Sequence, residues 1–327
     1  MAEKAVKEMP QKNNTAPEVS IVIPVFNEED CLERLFNDLM ASVKTLGRTY
    51  EIVLVNDGSQ DKSEKMLNDF QAKHSDVVRI IHLNGNFGQH NAIIAAFENV
   101  RGETIVTLDA DLQNPPSEIK KLLDKMDEGF DVVGGVREKR QDRVYRRWLS
   151  RLNNYIRTKV TNIKMSDQGC MLRAYKRNIT DIIVCQGTLN TYIPAQANRY
   201  ASNPTEVFVK HEERQGGESK YNFYRLMRLN FDLLTGTSIL PLQLFTFFGL
   251  FVSFFTSILV GVLIFRRLFM GAEAEGIFTL FAILFFLVGV VITGIGIVGE
   301  YVGRTYLASS SGPRYVVREI LEKKGKN

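Results

Sequence analysis

Two stretches of the chain, Leu242–Phe265 and Ile277–Gly299, contain no Asp, Glu, Lys or Arg. Each exceeds the roughly 20 apolar residues needed to cross a bilayer. Each is apolar all round rather than along one stripe, which argues against a pair of buried core helices. The short connection from Arg266 to Gly276 makes the two a hairpin, and Gly289, Gly294, Gly296 and Gly299 suit close helix packing in lipid. Lys220, Arg225 and Arg228 precede the hairpin, and Arg304, Arg314, Arg318, Lys323, Lys324 and Lys326 follow it. By the positive-inside rule both termini and the large region ahead of the hairpin lie in the cytoplasm.

That region is long enough for one α/β domain of about 200 residues. The expected division is a disordered polar tail (1–17), the α/β domain (18–220), an amphipathic juxtamembrane helix (221–240), two membrane spans (242–265 and 277–299, within 241–303) and a basic cytoplasmic tail (304–327). The first residues lack an apolar h-region, so no cleaved signal peptide is expected. The net charge of +4, from 41 Lys+Arg against 37 Asp+Glu, is too mild to argue for a nucleic-acid partner. Cys31, Cys170 and Cys185 lack metal-ligand spacing and read as reduced thiols.

Within the domain, apolar runs alternate with helical periodicity. Val19–Val25, Tyr50–Val55, Val77–Leu83, Thr104–Leu108 and Asp131–Val136 read as strands. Between them, helices are expected from Asn27–Asp30 to Gly47, over 62–73, over 88–100, and from Pro115–Pro116 to Gly129. This alternation predicts a mostly parallel, doubly wound sheet with its ligand beyond the carboxyl ends of the strands. Asp57, Asp109 and Asp111 all fall there. Two carboxylates one residue apart, just past a strand, can meet a hard divalent cation and its bound phosphates. Within 18–220 neither GxGxxG nor GxxxxGK[ST] occurs, and the one GxGxxG spacing, Gly294–Gly299, lies inside the second apolar stretch, so the common dinucleotide and P-loop patterns are absent from the α/β region. Over 221–235 a polar stripe of Tyr221, Arg225, Arg228, Asp232 and Thr235 runs through an apolar helix leading into the first span, suited to a lipid interface.

VSIVIPVFNEE at Val19–Glu29, VNDGSQD at Val55–Asp61, NFGQHNA at Asn86–Ala92 and LDADLQNPP at Leu108–Pro116 resemble the family-two glycosyltransferases. More narrowly they resemble the polyprenyl-phosphate glycosyltransferases, the group that contains dolichyl-phosphate mannose synthase. GQHNAI, DADLQNPPSEI, EGFDVVGGVR, RQD, GCMLRAY, ESKYNF and GEYVGR resemble the bacterial branch that uses UDP-4-deoxy-4-formamido-L-arabinose and undecaprenyl phosphate. SDQGCMLRAY replaces the SGFR-type sequence of mannose synthases and argues against a mannose donor.

The resemblance implies a GT-A (Rossmann-like) domain at the bacterial inner membrane and inverting transfer of one sugar. Pro24, Phe26, Glu28 and Asp57 would line the uridine pocket, with Arg214 and Lys220 reaching the donor diphosphate. Asp109 and Asp111, with Gln113, would hold Mg²⁺ or Mn²⁺. Arg137 would meet the acceptor phosphate, with Arg147 and Ser150 as further acceptor contacts. Asp167 would orient the acceptor or act as a base. His90 either contacts the sugar or caps and packs its helix. Val144 stands where the QxxRW motif of processive polymerases would need Gln, which fits single transfer. The resemblance further implies lipid A modification, resistance to cationic peptides such as polymyxin, and a homo-oligomer, by likeness a tetramer. Two other readings are the same reaction with UDP-glucose or a UDP-N-acetylhexosamine, and a non-catalytic nucleotide-sugar-binding membrane protein.

Overall fold

The computed structural model describes residues 16–137, 165–167, 169–186, 192–211, 240–270, 277–309 and 313–323. The parallel core is β1 (Val19–Val25), β2 (Tyr50–Asn56), β3 (Val78–Leu83) and β4 (Thr104–Thr107). Four helices follow these strands in turn: α1 (Leu32–Lys44), α2 (Ser63–Lys73), α3 (Gln89–Phe97) and, after a 3-10 turn at Pro116–Glu118, α4 (Ile119–Asp127). Then come β5 (Val132–Arg137), β6 (Arg173–Lys176), α5 (Arg177–Cys185), α6 (Ile193–Tyr200) and β7 (Pro204–Val209). Past the two long helices, α7 (Leu240–Met270) and α8 (Ile277–Ser309), comes the last strand, β8 (Val317–Leu321).

The eight strands form one sheet in the order β7-β5-β6-β4-β1-β2-β3-β8. β6 and β8 run against their neighbours, and the remaining strands share one direction. The mostly parallel doubly wound arrangement expected from the alternation is therefore present. Alternate residues of each central strand serve opposite cores. Ile21, Ile23, Ile52 and Leu54 pack with Leu35, Phe36 and Leu39 of α1 and Leu67 of α2. Val22, Val53 and Val55 pack with Ile93, Ala96 and Phe97 of α3 and Ile179 of α5. Burial on both faces explains why these strands read as continuous apolar runs.

Strand order reverses between β1 and β4, with β2 and β3 on one side of β1 and β4 on the other. Their ladder ends at Val22↔Thr107. The Val22 carbonyl accepts from Leu108 N–H, on the β4 side, and the Val25 carbonyl from Asp57 N–H, on the β2 side. Pro24, in register with Val22, therefore faces β4 past the last paired residue, where its missing N–H breaks no ladder bond. The strands part there and open a crevice at the topological switch point.

Two expectations are corrected. Helix α1 starts at Leu32 rather than at Asn27, because Asn27 sits in the left-handed region (φ 54°) and the chain turns once more before the helix. Residues 304–327 are not simply a tail: α8 continues to Ser309, and β8 covers the edge of β3 as an antiparallel strand. That strand protects an edge that three parallel strands would otherwise expose.

The two long helices form a separate unit. Their outward side chains are apolar: Phe247 and Phe285 are each 70% exposed and Ile295 65%. A soluble surface does not carry apolar exposure on that scale. Ile283–Gly303 is long and apolar enough to cross a membrane, whereas the apolar stretch found in α7 among the described residues is the shorter Leu242–Thr256. Of the four glycines expected to pack closely, Gly294 does so. A Cβ there would lie 2.3 Å from the Phe245 ring of α7.

Candidate active site

Three short segments meet at the crevice. The loop after β1, Asn27-Glu28-Glu29, is laced to the loop after β2. Asn27 N–H donates to Ser59 Oγ (3.2 Å), Gln60 N–H to Asn27 Oδ1 (2.8 Å), Glu28 N–H to Ser63 Oγ (3.0 Å) and Glu29 N–H to Asp61 Oδ2 (3.1 Å). The NEE and DGSQD motifs are thus two halves of one structure. Asp57 is buried, and its carboxylate accepts from Phe87 N–H (2.7 Å) and Gly88 N–H (2.9 Å), fixing the entry to α3. Burial outweighs these two bonds and raises its pKa above the ordinary carboxylate value. Gly58 has φ +71°, and a Cβ there would lie 2.5 Å from the Gly85 carbonyl carbon, so no other residue fits this turn without displacing the backbone. Pro24 is buried in β1, Phe26 is 41% exposed and Glu28 is half-buried.

Asp109 and Asp111 follow β4. Asp109 accepts from Gln89 Nε2 (2.5 Å). Burial, then repulsion from Asp111, pushes its pKa up to about 7, and Glu28 adds to the effect. Asp111 is held from one side by Gln113, whose backbone N–H (3.1 Å) and side-chain Nε2 (2.7 Å) donate to it. Between them Leu112 adopts φ 61°, a strained conformation for a branched side chain. The two acids lie close enough to repel and both offer hard oxygen donors, so the pair fits a divalent cation. Among the described residues no cluster of three His, Cys, Asp or Glu side chains forms a complete metal site.

Beside the acids stands a built arginine site. Arg137, at the end of β5, binds Asp167 through Nε (2.6 Å) and Nη2 (2.8 Å). Asp167 is buried and also accepts from Gly169 N–H (3.0 Å). This geometry is unfavourable to Asp167 as a base, one of its two expected roles, because both oxygens are committed to the guanidinium. Arg173 is 1% exposed and lies beneath, donating to the carbonyls of Cys170 (2.9 Å) and Asp167 (2.7 Å). Glycine makes room for both arginines. A Cβ on Gly134 would lie 2.9 Å from Arg173 Nη1, and one on Gly169 2.7 Å from Arg137 Nη2. The GGVR and GCMLR motifs are the two walls of this pocket.

His211, just after β7, is a site residue that sequence reasoning missed. Burial lowers its pKa, and the charges it feels are those of Arg137, Asp167 and Asp111. Its Nδ1 is buried without a hydrogen bond. Its only sequence signal is its place at the head of HEERQGGESKY. His90 rests edge-on against Tyr192 (5.5 Å), and burial lowers its pKa to about 4. Arg147, Ser150, Arg214, Lys220 and the helix expected over 221–235 lie outside the described residues.

The family model described as glycosyl transferase family 2 matches residues 20–184. Among curated proteins, the undecaprenyl-phosphate 4-deoxy-4-formamido-L-arabinose transferase of Klebsiella pneumoniae subsp. pneumoniae is 45% identical over 306 residues, 93% of each chain. Proteins of the same name from Shewanella sediminis and Pseudomonas fluorescens are 46% and 45% identical, and the alignments cover 93% of this chain and 92% and 89% of theirs. Among solved structures, glucosyl-3-phosphoglycerate synthase from Mycobacterium tuberculosis aligns at a TM-score of 0.46 and 14% identity over 67% of this chain and 78% of its own.

Proposed function

The chain belongs to glycosyl transferase family 2, and from that premise we propose that it transfers 4-deoxy-4-formamido-L-arabinose from UDP to undecaprenyl phosphate, one sugar at a time and with inversion. The observation that carries this is 45% identity to a transferase of that name along 93% of the chain, not just across the catalytic domain. The acids and the arginine gathered at the β1/β4 switch point support this reading. In this reading the reaction takes place at the cytoplasmic face of the inner membrane, with α7 and α8 as a two-span hairpin. The product would supply lipid A modification, where an amino sugar lowers negative charge and so weakens cationic peptides such as polymyxin.

The loops around Asn27–Glu29 and Asp57–Ser59 would receive the uridine, with Pro24 and Phe26 beside them. Asp109, Asp111 and Gln113 would hold Mg²⁺ or Mn²⁺. A bound cation would stabilise the negative charge that develops on the leaving diphosphate. Arg214 and Lys220 add positive charge to the same oxygens, most strongly where charge grows in the transition state. The acceptor is a phosphate monoester with a second pKa of about 6, mostly a dianion at pH 7. It needs placement more than deprotonation. Arg137 supplies that placement, and Asp167 keeps its guanidinium oriented. This role accounts for an acid whose two oxygens are already bound. The acid pair Asp109 and Asp111 and the guanidinium of Arg137 thus divide the work between leaving group and nucleophile.

The test is product identification by mass spectrometry after full-length protein is mixed with undecaprenyl phosphate, a divalent cation and each of several UDP-sugars. Formamido-arabinosyl undecaprenyl phosphate as the dominant product is the expected result. Preferential use of UDP-glucose or a UDP-N-acetylhexosamine overturns the named donor, and UDP binding without turnover of any donor overturns the transferase itself.

A further inference from the structure

The strand that follows the membrane helices reaches the nucleotide loop through a chain of polar contacts. Arg318 of β8 donates to Glu64 Oε1 of α2 (2.5 Å). Glu64 Oε2 accepts from Asn56 Nδ2 at the end of β2 (3.1 Å). Asn56 Oδ1 accepts from Ser59 N–H (2.9 Å), and Ser59 Oγ accepts from Asn27 N–H. Asn56 is wholly buried, and both N–H groups and the Oδ1 of its amide are engaged. Its second N–H meets Nδ1 of buried His82 (3.0 Å), whose Nε2 meets Asn68 Oδ1 (2.9 Å). This pairing assigns His82 as the neutral Nε2–H tautomer and fixes which way the Asn56 amide points. An amide engaged at both its nitrogen and its oxygen cannot rotate without stranding a buried partner. The orientation of Asn56, and with it the Asn56–Ser59 turn that carries Asp57, is therefore set in part from the C-terminal strand.

We propose that Arg318 is a positioning residue for the donor site, acting through Glu64 and Asn56 on the turn that carries Asp57. The inference rests on the donor reading of that turn. It gives the last strand a task beyond closing the sheet: the segment that returns from the membrane helices holds the nucleotide loop in its binding shape. A second contact of the same segment, the ion pair of Lys323 with Asp76, does not touch the chain from Glu64 to Ser59 and serves as an internal control.

The experiment measures donor KM and kcat by UDP release for full-length protein in lipid nanodiscs. Arg318→Ala is expected to raise donor KM about fivefold, or about 1 kcal/mol, at unchanged kcat. Arg318→Lys restores most of the loss. Glu64→Gln gives a similar rise, and the Arg318→Ala/Glu64→Gln double variant is no worse than the worse single one, as expected for one coupled chain. Lys323→Ala leaves KM unchanged. An unshifted KM in Arg318→Ala with normal wild-type kinetics overturns the inference alone. So does an equal rise in Lys323→Ala, which would mean general loosening of the strand. Wild-type protein that does not bind UDP overturns the donor reading and the inference with it. If Arg318→Ala does not fold, donor KM in Glu64→Gln decides the question: a rise supports the inference and an unshifted value overturns it.

Discussion

At the amino ends of its strands the sheet buries Glu51 and Ser20 and pairs the charges around them. Glu51 accepts from Ser20 Oγ (2.6 Å), Arg101 N–H (2.5 Å) and Arg79 Nη1 (3.2 Å). Glu322, just past β8, pairs with Arg79 (3.0 Å) and Arg101 (2.7 Å). Two acids meet two bases. At the carboxyl ends of the same sheet, Asp109 and Asp111 stand together with Glu28 near them, and the described arginine that Asp109 feels, Arg137, is already bound to Asp167. Backbone strain gathers at this end as well, at Asn27 and Leu112. One end is organised for stability. The other, among the described residues, holds an excess of negative charge that lowers stability and fits a cationic ligand.

The largest effect expected from this contrast is on catalysis. Asp111→Asn should cut turnover by about 10³-fold with little loss of stability, read by UDP release and thermal unfolding of the same preparation. A stable variant with near-normal turnover would dissolve the contrast. Glu51→Ala should do the reverse. It leaves Ser20 Oγ and Arg101 N–H without their buried acceptor and removes one of the two carboxylates that face Arg79, and should cost about 3 kcal/mol of stability, while turnover per folded molecule stays within about twofold of wild type.

Gly169→Ala should fall between them. Its Cβ would press on Arg137 Nη2, and a displaced guanidinium should raise the acceptor KM by about tenfold, or 1.4 kcal/mol, with the donor KM unchanged.

The smallest effect is a pH-dependent gain. Without metal, the folded protein holds a proton on Asp109 up to about pH 7, whereas the unfolded chain releases it near the ordinary value of about 3.9. Stability is therefore lost as pH rises from about 4 to about 7 and does not return above that. In chelator, Asp109→Asn should melt at a higher temperature than wild type at pH 8, with the gap closing toward pH 4. A variant less stable at every pH would contradict this picture of the acid pair.

The two ends also differ in how far the sequence reveals them. β1 to β4 and their helices are legible because burial on both faces makes continuous apolar runs, and Asp57, Asp109 and Asp111 are legible because each stands at the end of such a run. β6 and β8 are not. Arg173-Ala-Tyr-Lys176 and Val317-Arg-Glu-Ile-Leu321 carry charges where the pattern calls for apolar residues, and Arg173 is buried regardless. Its partners are backbone carbonyls, which leave no mark on composition. The pairing of Arg137 with Asp167, 30 positions apart, and the place of His211 near Asp111 likewise depend on strand order. Local chemistry is readable in the sequence, but which groups meet across the sheet is not.

The central claim is that the surplus acid at the carboxyl ends exists to hold a cation against a nucleoside diphosphate. The most direct measurement is UDP binding to the full-length protein by calorimetry, with Mn²⁺ and with chelator, for wild type and Asp111→Asn. The expected result is binding that requires Mn²⁺ in the wild type and is lost in the variant. Equal UDP affinity in chelator, or a variant that still gains affinity from Mn²⁺, would contradict it.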